Sequence, residues 1–109
     1  MLALESYRTP TQIIGSADLS FLVEKSTNKQ EIIEAFIEFQ NSQKYPIIKI
    51  SNDPLVSMDY IGEEYSAIVD TRWLDVINSE LVKIVLWYDN EYGYCSNVIN
   101  QIKYINSLL

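Results

Sequence analysis

The 109 residues predict an α+β domain: a mostly antiparallel sheet with one covering helix and a second helix at the C-terminus. Three observations carry this. Short apolar stretches alternate with polar residues and are bounded by Gly, Pro, Asn and Asp, the pattern of half-buried strands. The helical period occurs in only two places. Most links between strands are too short for crossover connections, so neighbouring strands pair antiparallel.

Residues 1–16 carry Pro10, Gly15 and several hydroxyl side chains and read as an extended lead-in with turns. A sheet with one helix is expected over 17–89, and the C-terminal helix over 90–109. From Ala17 to Glu24, Leu19, Phe21 and Val23 share one strand face. Leu22 breaks the alternation and predicts cover on the outer face as well. Asn28 followed by Glu31 has the spacing of a capping box. The helix it opens runs to about Asn41 or Ser42 and presents Ile32, Phe36 and Phe39 on one face, as a core-packing helix does. Pro46–Ile50 reads as a short strand, 52–54 as a turn, Leu55–Tyr60 as extended chain closed by Gly62, and Tyr65–Asp70 and Trp73–Ile77 as two further strands. Asn78-Ser79 turns the chain into the strongest strand signal, 81–88. The last helix carries Val98, Ile102, Ile105 and Leu109 as one apolar stripe.

Composition removes several function classes. The formal net charge is −7 and the eight basic residues are scattered, which argues against a nucleic-acid partner. The chain has no His, so it lacks an imidazole acid/base and the commonest metal ligand. Its single Cys95 excludes an internal disulfide and a cysteine metal cluster, so no metal site is expected. No stretch approaches the roughly 20 apolar residues of a membrane span, and the N-terminus does not have the form of a signal peptide. A cytoplasmic location is expected. No Gly-x-Gly-x-x-Gly turn follows a strand, so no dinucleotide-binding domain is encoded here.

The most informative segment is Trp87-Tyr88-Asp89-Asn90-Glu91-Tyr92-Gly93-Tyr94. A polar, aromatic-rich junction between a strong strand and a helix is where a rigid scaffold presents side chains to a ligand. The residues alone leave Asn90 with two roles, ligand contact or helix N-cap.

Several collinear motifs then resemble one family. Arg8-Thr9-Pro10-Thr11, Asp18-Leu19 with Val23-Glu24-Lys25, Val56-Ser57-Met58-Asp59-Tyr60, Ser66-Ala67-Ile68-Val69-Asp70, Leu81-Val82-Lys83 and Trp87 to Tyr94 occur in the order and spacing of the C-terminal, catalytic domain of glyceraldehyde-3-phosphate dehydrogenases. The resemblance implies that Arg8 binds the substrate phosphate, a role suited to a guanidinium fork; the residue taken alone is a solvated surface Arg. It implies that Asn90 holds the nicotinamide carboxamide, that Tyr94 packs near the nicotinamide, and that Tyr88 and Glu91 support the site. Cys95 stands where the family has Ser, and the family nucleophile lies in a Ser-Cys-Thr-Thr-Asn sequence absent here, so no catalytic residue is assigned. NAD is the implied cofactor of the complete enzyme, with NADP left open, and none is expected to bind tightly to this chain alone.

The resemblance thus covers the back part of a two-domain enzyme. A shortened gene product, a proteolytic piece or a cloned segment would each account for it. The implied partners are the missing N-terminal portion or a second copy, with a homo-oligomer expected. Lacking its usual cover, the last helix is expected to swap, fold back or fray. Two alternatives stay open: a stand-alone interaction module derived from the domain, or the same portion of erythrose-4-phosphate dehydrogenase.

Overall fold

A computed structural model describes residues 1–6 and 10–109; Arg8 lies outside the described residues. Among these, the chain forms strands β1 (Leu2–Ser6), β2 (Gly15–Leu22), β3 (Ile48–Ser51), β4 (Ala67–Ile77) and β5 (Leu81–Tyr88), and helices α1 (Lys29–Ser42) and α2 (Tyr92–Leu108). A 3-10 turn spans Ser57–Tyr60. The sheet order is β1-β2-β5-β4-β3. All neighbours are antiparallel except β3 and β4, which run parallel. The architecture is the α+β one the sequence predicts.

Helix α1 starts where the capping box places it. Asn28 Oδ1 accepts from Glu31 N at 3.0 Å, and Glu31 Oε2 accepts from Asn28 N at 3.3 Å. Ile32, Ile33 and Phe36 pack on Val69, Leu74, Val82 and Ile84, with Leu19 and Phe21 from β2 alongside. Burying aliphatic side chains of this size is worth about 1.5–3 kcal/mol each, so this face of the sheet holds most of the stability. The end of α1 is tied to β3: Gln40 Oε1 accepts from Ile50 N at 2.7 Å, and Gln43 Oε1 accepts from Ile48 N at 2.9 Å.

The opposite face carries a second, smaller core of Ile14, Tyr60 and Ile68, flanked by Leu55, Tyr65 and Trp87. Ile68 and Val69 are adjacent in β4 and so point into different cores. The 3-10 turn lies over this second core. The sequence predicts extended chain over 55–60, but Asp59 Oδ2 accepts from Val56 N at 2.8 Å and curls the chain locally.

The two strands expected at 65–70 and 73–77 are one. β4 is continuous, with its pairing to β5 irregular between Asp70 and Asp75. The cause is visible in the side chains: Asp70 Oδ1 accepts from Arg72 N two residues on, at 3.1 Å, and this local bond forms a bulge without ending the strand. Leu22 is exposed, so its break in the alternation marks no second cover.

Helix α2 is continuous, neither frayed nor folded back on the sheet. Ile99, Ile102, Ile105 and Leu108 are all exposed. The Cα radius of gyration is 15.0 Å, against about 13 Å for a compact domain of this length. None of the helices among the described residues is long and apolar enough to cross a membrane.

Candidate functional site

The candidate site is the β5–α2 junction, and the residue that organises its backbone is Asp89. This residue is buried (2% exposed). Its Oδ1 accepts from Glu91 N at 3.0 Å and Tyr92 N at 2.8 Å, which caps the first turn of α2. Its Oδ2 accepts from Gly62 N at 2.9 Å, which fastens the loop after the 3-10 turn. Burial pushes the Asp89 carboxyl up, but the backbone N–H groups of Gly62, Tyr92 and Glu91 outweigh it and hold the group below the usual carboxylate range. Glu91 holds the N-cap position of α2, and the capping acceptor the sequence left open for Asn90 is supplied by the Asp89 side chain.

Asn90 is exposed and does something else. Its Oδ1 accepts from Ile14 N at 2.9 Å, 76 residues away in sequence. Ile14 has φ of +77°, a costly conformation for a β-branched residue that persists only where the surroundings fix it. Tyr88 closes the same spot from the sheet side. Gly15 pairs with Tyr88, and a Cβ on Gly15 would stand 2.4 Å from the Tyr88 ring. Tyr88 and Asn90 thus grip the Ile14-Gly15 start of β2.

Gly93 sets the approach of α2 to the body. It is buried, and a Cβ there would come within 2.8 Å of the Tyr65 carbonyl oxygen. Tyr94 and Glu91 are exposed at the start of the helix. The structure therefore brings Tyr88, Asn90, Glu91 and Tyr94 to one junction.

Below the junction lies a buried polar cluster that sequence reasoning missed. Asp70 is fully buried. Arg72 reaches it twice, Nε to Oδ1 at 2.8 Å and Nη2 to Oδ2 at 2.6 Å, and Nη2 also donates to the Leu55 carbonyl at 2.9 Å. Trp87 Nε1 donates to Asp70 Oδ2 at 3.1 Å, while its ring stacks on Tyr60 with centroids 5.5 Å apart. Burial raises the Asp70 carboxyl, yet the Arg72 side chain, the Trp87 indole and the Arg72 backbone N–H together hold it below the usual range. Tyr60 is pushed above its ordinary value, first by burial and then by the Asp70 charge. The cluster fixes the indole of the motif from beneath. The Asp-x-Arg spacing on a strand would have hinted at it, because residues two apart share a face.

These groups fix one another and the local backbone through intramolecular hydrogen bonds. Both perturbed carboxylates, Asp70 and Asp89, are sealed in hydrogen bonds. No group of three or more His, Cys, Asp or Glu among the described residues is placed to hold a metal ion. Asn90 has its carbonyl oxygen engaged by Ile14 N, and its amide N–H groups are the remaining donors of the side chain.

A mixed sheet with a helix on one face, ending in an aromatic strand-to-helix junction, defines the class: an α+β domain of mixed strand direction. The family model for the glyceraldehyde 3-phosphate dehydrogenase C-terminal domain matches residues 2–90, and the chain belongs to that family. It is 39% identical over 101 residues to a cytosolic glyceraldehyde-3-phosphate dehydrogenase of Taxus baccata, covering 93% of this chain and 30% of that protein. It is 35% identical over 100 residues to the enzyme of Pleurotus sajor-caju, covering 92% and 30%. With a chloroplastic enzyme of Gracilaria gracilis it shares 39% over 87 residues, covering 80% and 21%. The chain thus spans less than a third of the length of these relatives.

Proposed function

We propose that this chain supplies the nicotinamide side and the substrate-phosphate contact of a phosphorylating, NAD-dependent glyceraldehyde-3-phosphate dehydrogenase of glycolysis, and that these 109 residues do not catalyse the reaction by themselves. What supports the reading best is Asn90: it is exposed at the head of α2, anchored through Oδ1 to Ile14 N, and left with amide donors. A carboxamide carbonyl is the ligand group that fits such donors, and fixing it sets which ring face meets a substrate. Tyr94 stands one helical turn on, where a ring would pack near the nicotinamide. Arg8 is the phosphate contact, and Tyr88 and Glu91 are the supporting residues. The family chemistry requires a thiolate that attacks the aldehyde and a base that activates it; the former is not supplied by Cys95, and the chain has no His.

The test follows reduced nicotinamide formation from glyceraldehyde 3-phosphate, phosphate and NAD. The purified chain gives no turnover above a boiled control. Adding the complementary N-terminal portion of a family enzyme restores activity, and Asn90→Ala in that mixture raises the KM for NAD about tenfold, the loss of one hydrogen-bonded contact. Turnover by the chain alone, or an unchanged KM in the variant, overturns the reading.

A further inference from the structure

Among the described residues only two carboxylates are buried, Asp70 and Asp89. They stand on different elements, yet both hold the same segment, 55–62. Asp89 takes its far end, through Gly62 N. Asp70 takes its near end through an intermediary: Arg72 Nη2 donates to Asp70 Oδ2 at 2.6 Å and to the Leu55 carbonyl at 2.9 Å. Between these ends the Tyr60 ring lies on Trp87, whose Nε1 donates to the same Asp70 Oδ2. The segment is thus pinned at its start, middle and end, and Trp87 and Asp89 belong to the junction motif.

The bulge in β4 makes this arrangement possible. Asp70 pairs with Val85 and Asp75 with Lys83, so residues 71–74 stand opposite Ile84 alone. A regular strand sends successive side chains to opposite faces. Here two neighbours both reach the chain that follows β3. Thr71 Oγ1 donates to Ser51 O at 3.1 Å and to Asn52 Oδ1 at 2.8 Å, and Arg72 reaches Leu55. Bulges beside sites re-aim side chains in this way. A buried ion pair is a weak source of net stability, because desolvating both charges offsets their attraction. What the pair does supply is coupling: Oδ2 is shared by Arg72 and Trp87, so the start of the segment and the indole move together.

We propose that Asp70 and Arg72 are positioning residues for Asn90, a role that rests on Asn90 being the nicotinamide contact. Segment 55–62 is the brace. Arg72 fixes its start, the Tyr60–Trp87 stack its middle, and its end holds Asp89 through Gly62. Asn90 follows Asp89 directly, with Oδ1 committed to Ile14 N. The direction of its amide N–H groups is therefore set from beneath the junction. Asp70→Asn leaves one acceptor oxygen for the four N–H groups that the carboxylate now serves. The brace then loosens at Leu55 and Trp87, and Asp89 and Asn90 loosen with it.

The test has two arms. In the chain by itself, amide hydrogen exchange in Asp70→Asn quickens at Gly62 and Ile14 about tenfold beyond any change at Val82 and Ile84, the order expected when one hydrogen-bonded contact is lost locally. Arg72→Lys, at a partly exposed position, keeps the charge beside Asp70 but lacks the fork that reaches both carboxylate oxygens and Leu55 together. It gives the same pattern more weakly, and it decides the matter where Asp70→Asn does not fold. This arm needs no restored activity. In the mixture with the N-terminal portion of a family enzyme, Asp70→Asn raises the KM for NAD. Adding Asp70→Asn to Asn90→Ala raises it no further than Asn90→Ala does, because both changes remove one interaction. A merely structural loss would multiply with Asn90→Ala. Three results overturn the inference: exchange at Gly62 and Ile14 that only tracks the core, a KM for NAD unmoved by Asp70→Asn while Asn90→Ala raises it, or effects of the two substitutions that multiply. The nicotinamide reading fails separately, and takes the inference with it, if Asn90→Ala itself leaves the KM unchanged.

Discussion

Helices α1 and α2 have similar lengths, 14 and 17 residues, and each carries one apolar stripe. One is seated and the other is bare. The stripe of α1 meets Val69, Leu74, Val82 and Ile84 across the sheet, whereas that of α2 meets solvent from Val98 onward. Their beginnings differ in the same sense. α1 is capped by its own Asn28 and Glu31, three residues apart. The start of α2 is set by Asp89, which at the same time holds Gly62 from a distant loop. A helix can be locally self-sufficient and packed, or tethered at one end and uncovered along its length. Periodicity is alike in both and does not distinguish them.

The sharpest way to break this comparison is to truncate one apolar side chain on each side of it. Leu74→Ala, in the core under α1 at 1% exposure, is expected to cost about 2–5 kcal/mol. Ile102→Ala, in the α2 stripe at 61% exposure, is expected to change stability by less than about 0.5 kcal/mol. Urea unfolding monitored by circular dichroism reads both. A large loss at Ile102 would mean that α2 is packed in solution.

Next in size is the tether. Asp89→Asn keeps the shape but removes the charge and one acceptor, and is expected to cost about 1–3 kcal/mol. Amide exchange should speed up at Gly62, Glu91 and Tyr92 together. The pH dependence has a definite sign. Asp70 and Asp89 both titrate below the ordinary aspartate value of about 3.9 in the folded chain. Their contribution is therefore complete above that value and is lost as pH falls through the depressed range. Urea midpoints should be flat near neutrality and drop below about pH 4, less steeply in Asp89→Asn. A variant with the acid profile of the unmodified chain would remove Asp89 from this account. The smallest effect belongs to the local cap: Asn28→Ala should cost about 1 kcal/mol and leave the exchange of α2 amides unchanged.

How far the sequence could be read follows the same division. β5 at 81–88 and the capped start of α1 are written in neighbouring residues, in alternation and in a three-residue spacing, and both are where the pattern puts them. The strand Leu2–Ser6 is formed by pairing with β2, and nothing within its five residues distinguishes it from an extended lead-in. The bulge that keeps β4 whole depends on Asp70 turning to Arg72, a side-chain choice that alternation does not encode. At the junction the motif is contiguous in sequence, and its strand-to-helix form is legible there. Yet Asp89 and Asn90 work through Gly62 and Ile14, 27 and 76 residues away, and partners that distant are set by the folded sheet.

The indole of Trp87 lies against Tyr60 with its N–H on a buried carboxylate, while Trp73 is 62% exposed. The chain has no other tryptophan. Its emission is thus two spectra in one cuvette: a surface fluorophore open to dissolved quenchers, and a sheltered one whose colour and lifetime register whether the ground beneath the junction is intact.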